Sequence, residues 1–103
     1  MKTAELTGAA LDWAVAKCEG AWVRDGVDDD CPEYSTDWSQ GGAIIEREKI
    51  SLDFSYRMEW SARLYEPDSE PWVFTGQTPL IAAMRCYVAS KLGDDMKIPE
   101  ELA

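Results

Sequence analysis

The sequence predicts an α+β fold: a small antiparallel sheet of three to five strands covered by two helices, with one long functional loop. Three observations carry that prediction. Segments with helical periodicity and marked ends lie toward the two ends of the chain, short alternating segments fill the stretch from Ile50 to Thr75, and periodicity vanishes from Val27 to Gly42.

The first helix is expected from Thr7 to Gly20. Thr7 suits the N-cap, Leu6 and Leu11 occupy the two positions of a hydrophobic staple, and Gly20 can take the positive φ of a C-terminal stop. Leu11, Ala14, Val15 and Cys18 then form one apolar stripe. Ala21 to Arg24 reads as a short strand closed by Asp25-Gly26. From Val27 to Gly42 the chain is a loop of about 16 residues, a length that in a small domain is usually functional. Ala43 to Glu48 offers one or two helical turns.

Ile50, Leu52 and Phe54 alternate with polar residues, as do Trp60, Ala62 and Leu64, and each set marks a half-buried strand. Tyr56 to Glu59 links them as a hairpin turn. Trp72 to Thr75 is a third strand ended by Gly76. The last helix is the best marked: Thr78 caps it, Pro79 sits where a missing N–H costs nothing, and Gly93 stops it. Its core face is Ile81, Met84, Val88 and Leu92, widened by Leu80, Cys86 and Tyr87. Met96 to Ile98 reads as an added edge strand before Pro99, followed by a frayed tail. Residues 1–103 are expected to form a single domain.

Composition narrows the function. The 46% hydrophobic content and five tryptophans suffice for a core. Twenty acidic residues against ten basic ones give a net charge of −10, which disfavours direct binding to nucleic acid or to an anionic membrane. That charge suits solubility, or mimicry of nucleic acid toward a basic protein surface. No segment has the ~20 apolar residues of a membrane span, and no secretory segment is recognised at the start. Three cysteines without CxxC spacing fit a reducing cytosol better than a disulfide framework.

The chain has no histidine, so the commonest general base and metal ligand are both missing. Cys18 and Cys86 read as core residues, and Cys31 follows three aspartates whose field blunts its thiol. Asp28, Asp29, Asp30 and Glu33 are consecutive acids interrupted by Pro32, unlike the alternating ligands of a calcium loop. Neither GxGxxG nor GxxxxGK[ST] occurs. We therefore expect no catalytic residues, no metal site and no cofactor. A two-carboxylate hydrolase using Asp37 and Glu46 ranks last among the readings.

Recognition-type residues concentrate between positions 34 and 47. Tyr34 and Trp38 offer aromatic platforms, Ser35 and Thr36 hydroxyls, Gln40 an amide and Asp37 a carboxylate. Gly41 and Gly42 would expose backbone N–H groups if Ala43 opened a helix, and Glu46 and Arg47 follow one turn on. The expected ligand-binding set is thus Tyr34, Ser35, Thr36, Asp37, Trp38, Gln40, Gly41, Gly42, Glu46 and Arg47. A packed loop whose aromatics plug the domain stands as the competing reading.

Three segments also resemble a known family. The stretch Tyr34-Ser35-Thr36-Asp37-Trp38-Ser39-Gln40-Gly41-Gly42 with Ile44-Ile45-Glu46-Arg47, the run from Thr78 to Lys91, and the opening Leu11 to Lys17 are similar to the phage NinX family. The chain departs from it at Ala43, where the family carries proline, and matches least well from Ser55 to Trp72. The family is a phage and prophage domain of unknown function. The resemblance implies the host bacterial cytoplasm and an accessory role such as counter-defence. Two partners follow: a small nucleotide-like ligand held by residues 34–47, or, alternatively, a host protein inhibited through the acidic surface. Assembly into a homo-oligomer stays open.

Overall fold

The computed structural model describes residues 1–20, 32–54 and 57–98. The element order is a 3-10 turn at Thr3–Glu5, α1 at Gly8–Cys18, α2 at Trp38–Glu48, β1 at Ser51–Phe54, β2 at Trp60–Leu64, β3 at Trp72–Gly76 and α3 at Pro79–Leu92. The fold is α+β. The strand expected at Ala21–Arg24, the aspartates 28–30, Cys31 and the tail from Pro99 lie outside the described residues.

The sheet is antiparallel with order β1-β2-β3. Its register sets Leu52 against Ala62 and Ala62 against Phe74, which puts these three on one face. Ser51, Arg63 and Val73 form the corresponding row on the opposite face. The alternation read from sequence therefore holds, with one exception: Phe54 is 50% exposed at the end of β1, where its ring packs on Trp60 at 5.1 Å between centroids.

α3 is the centre of the molecule. It lies against β2 and β3 on one side and against α1 and α2 on the other, so α1 and α2 reach the sheet mainly through it. The expected pair of helices covering one sheet face is thus corrected to one helix on the sheet and two behind it. Such a position demands apolar residues all round, and Leu80, Ala82, Ala83, Met84, Cys86, Tyr87, Val88 and Ala89 are buried. Alanines at three of these positions let neighbouring backbones approach closely. The face read from sequence, Ile81, Met84, Val88 and Leu92 widened by Leu80, Cys86 and Tyr87, leaves out the buried Ala82, Ala83 and Ala89, and Leu92, assigned to it, is exposed.

The ends of α3 match their signals. The Thr78 hydroxyl accepts from Ile81 N–H at 3.1 Å, and Gly93 takes φ +89° while its N–H closes on Ala89 O. α1 likewise ends at Gly20, with φ +76°. Its start differs, because Thr7 makes no side-chain capping bond. Residues Ala10 to Ala16 of α1 are buried without interruption, Asp12 and Trp13 included, so this helix also lacks a simple stripe.

Two further expectations fail. The loop ends earlier than Gly42, because α2 begins at Trp38, five residues before Ala43. Asp37 is its cap, accepting from Ser39 N–H at 2.9 Å and from the Ser39 hydroxyl at 2.7 Å. Met96 to Ile98 forms no strand of the sheet. Instead Lys2 bridges Asp95, Met96 N–H donates to Met1 O, and Thr3 N–H donates to Asp94 O, so this segment pairs with residues 1–3.

Candidate functional site

Residues 33–38 are fixed from both sides. A turn folds back as Thr36 N–H and Asp37 N–H both donate to Glu33 O. Beneath it, Ser35 N–H donates to the buried carboxylate of Asp12 on α1 at 2.8 Å. Burial pushes the Asp12 carboxyl above its usual value, with Ser35 beside it pulling the other way. Tyr34 is buried in the core.

Gly41 explains how α2 comes so close. A Cβ there would stand 2.3 Å from the Tyr34 carbonyl oxygen and 2.7 Å from Leu80 Cδ2. Only a glycine lets the first turn of α2 rest against both the preceding turn and the start of α3. The helix tolerates two glycines because packing and the Asp37 cap compensate for their poor propensity.

A cleft of about 210 Å³ opens between these parts, lined by Ser35, Thr36 and Trp38 on one wall and Thr78, Pro79, Leu80 and Ile81 on the other. Trp38, the first residue of α2, is 55% exposed. Ser35 is 2% exposed, and its hydroxyl completes no hydrogen bond of normal geometry. The polar group beside it is the Asp12 carboxyl, whose pKa the Ser35 side chain pulls down against the effect of burial.

The remaining residues expected here are placed elsewhere. Gly41 and Gly42 lie inside α2, and Gly41 N–H is already bonded to Asp37 O, so the pair presents no anion-binding amides. Gln40 is exposed but does not line the cleft. Glu46 is nine residues beyond Asp37, about 13 Å along the axis and on the opposite side of the helix. The two carboxylates therefore do not share a cleft. Arg47 is committed to a network: its guanidinium grips Glu19 in a two-pronged contact, donates to Glu48 at 2.9 Å, and reaches the Tyr87 hydroxyl at 3.1 Å. Tyr87 OH also donates to Glu19. Arg47 holds Glu19 below the usual carboxylate range, and burial together with Glu19 pushes the Tyr87 phenol up.

The thiols offer little reactivity. Burial raises Cys18 and Cys86 to about 11, and Cys86 Sγ donates to the carbonyls of Ala62 and Trp72. Among the described residues no group of three acids or thiols is placed to hold a metal ion, and no helix is long and apolar enough to cross a membrane.

Of ten expected residues, the structure brings Ser35, Thr36 and Trp38 together. It adds Thr78 to Ile81, which the sequence marks only as the start of a core helix. The signal that could have found them is the pairing of a helix-capping Thr-Pro with an apolar pair that must turn one side outward. No curated protein matches the chain. The family model described as bacteriophage P22 NinX matches residues 2–91, and the chain belongs to that family.

Proposed function

We propose that this phage protein is a non-catalytic binding protein that holds a small, flat, nucleotide-like ligand in the Trp38 cleft and so sequesters it from the host. The observation that carries this reading is the half-exposed indole of Trp38 in the wall of a cleft that also presents the hydroxyls of Thr36 and Thr78. A ring stacked on an indole gains about 0.5–1.5 kcal/mol beyond area burial. A hydrogen bond from a hydroxyl of the cleft wall, such as that of the exposed Thr36, would add about 0.5–1.5 kcal/mol. The volume of about 210 Å³ falls below the usual range for drug-sized ligands and suits a ring system whose remainder stays in solvent.

Sequestration is the reading that fits what lines the cleft among the described residues: two threonines, a serine and apolar walls. The alternative, an acidic inhibitor of a host protein, rests on the net charge of −10, since Asp28 to Asp30 lie outside the described residues.

Native mass spectrometry of protein purified from bacterial cells, followed by titration with nucleobases and nucleosides, tests the proposal. Retention or saturable binding should be lost in Trp38→Ala and weakened about three- to tenfold in Thr36→Ala. If no such compound binds, or if Trp38→Ala binds as the parent does, the proposal fails.

A further inference from the structure

A second cleft, of about 250 Å³, lies on the other flank of Ile81 and is lined by Thr7, Glu59, Thr75, Gly76, Gln77, Ile81 and Arg85. Arg85 is partly buried there. Its Nε donates to Leu6 O at 2.9 Å and its Nη1 to Thr75 O at 2.7 Å, which fixes the plane of the guanidinium. These bonds use two of its five N–H groups. Among the described residues no carboxylate stands within ion-pair distance of it. Arg47 shows the contrast with its two acidic partners. Burial without a counter-charge lowers the Arg85 pKa from its ordinary value.

Around this cation the other groups are suitably polar. Thr7 has a hydroxyl that makes no capping bond to α1, and Gln77 and Thr75 are exposed at the end of β3. Gly76 keeps the cleft floor close to α3, since a Cβ there would meet Ala82 N at 2.7 Å. Glu59 is the one opposing charge, exposed among the lining residues.

We infer that this cleft binds a small oxyanion, a phosphoryl or carboxylate group, through the remaining N–H groups of the Arg85 guanidinium assisted by Thr7 and Gln77. A guanidinium already held in one plane by two carbonyls is preorganised to donate its remaining N–H groups to such a group. The inference does not depend on the Trp38 cleft. The two sites share Ile81 only.

The test is a chemical-shift titration of the 15N-labelled protein with inorganic phosphate and, separately, acetate, with sodium chloride at matched ionic strength as the control. The Arg85 Nε–H signal and the Gln77 amide should shift saturably with a millimolar midpoint. A tighter response to phosphate identifies a phosphoryl group as the natural ligand, and a tighter response to acetate a carboxylate. Because Arg85→Gln also removes two ties to the backbone, the deciding variant is Glu59→Gln, at an exposed position. Removing that charge should tighten binding about two- to fivefold. No saturable shift up to about 50 mM, an equal response to chloride, or an unchanged midpoint in Glu59→Gln would each overturn the inference. The Trp38 indole N–H reports the other cleft separately, so either proposal can fail alone.

Discussion

The guanidinium of Arg47 and the carboxylate of Glu19 meet in a two-pronged contact, Nη1 to Oε1 at 2.9 Å and Nη2 to Oε2 at 2.6 Å, although 28 residues separate them in the chain. Glu19 follows the last turn of α1, Arg47 is in the last turn of α2, and Tyr87 of α3 closes the triangle. Arg47 is about half exposed, so solvent screening limits the gain. Arg47→Ala should cost about 1 kcal/mol, a fall in Tm of roughly 4–8 °C for a domain of this size. Arg47→Lys should fall between the two, because an ammonium cannot reproduce the planar fork. Binding in the Trp38 cleft should be unchanged in both. Differential scanning fluorimetry with ligand titration measures all three outcomes.

Glu19 also sets a pH dependence. Its pKa is lowered in the folded state, first by the hydrogen bonds from Arg47, so its stabilising contribution is present above the ordinary value of 4.5 and is lost as pH falls through the folded value. Tm measured from about pH 6 down to about pH 3 should therefore drop more steeply in the parent than in Glu19→Gln, with the two curves converging in acid. Asp12 has the opposite sign. Its raised pKa means that ionisation costs stability as pH rises, and Asp12→Asn, which keeps an acceptor for Ser35 N–H, should be relieved of that cost near neutrality. Parallel curves for parent and Glu19→Gln would disprove the linkage.

The adjacent glycines of α2 should behave in contrary ways. Gly41→Ala drives a methyl into the Tyr34 carbonyl and Leu80, and backbone cannot swing aside as a side chain can. A loss of about 1–3 kcal/mol is expected. At Gly42 the nearest atom is Trp38 Cε3 at 3.3 Å, and the gain in helix propensity offsets a small displacement of that ring. Gly42→Ala should stay within about 1 kcal/mol of the parent in urea denaturation. Equal losses at both positions would contradict the packing described.

Two tryptophans separate core from site in the same way. Trp13 is 4% exposed on α1 and Trp38 55% exposed on α2. Trp13→Ala should cost about 3–5 kcal/mol, whereas Trp38→Ala should melt within a few degrees of the parent. A large loss of stability in Trp38→Ala would make that residue a packing element and remove the basis of the stacking site.

The elements best read from sequence are those whose signals are local. Thr78, Pro79 and Gly93 delimit α3 in sequence and structure alike, and the alternation around Leu52, Ala62 and Phe74 gives the sheet its faces. α2 was misread at its start because the reason Gly41 can sit in a helix is tertiary: the carbonyl of Tyr34 and the side chain of Leu80 occupy the space of a Cβ. The placement of several expected site residues was hidden for the same kind of reason. Nothing near Arg47 in sequence reveals Glu19 as its partner, and a Tyr that stacks on ligand looks like a Tyr that fills a core. Arg85 was passed over because it stands between the buried Met84 and Cys86. Its interruption of an apolar helix was the visible sign.

The placement of α3 bears on how the molecule comes apart. Without α3 the sheet is a lone three-stranded layer, and α1 and α2 are helices of 11 residues each, shorter than the ~12–15 that are even marginal alone in water. Neither half is a unit able to persist by itself, so unfolding should be all-or-none, and the slowest amides of α3 should exchange only by complete opening. Both clefts draw walls from the first two turns of this same helix. A molecule bound at either one grips the keystone, and its full binding energy appears as resistance of the whole chain to heat. A simple melting screen of metabolites thus tests both proposed clefts at once.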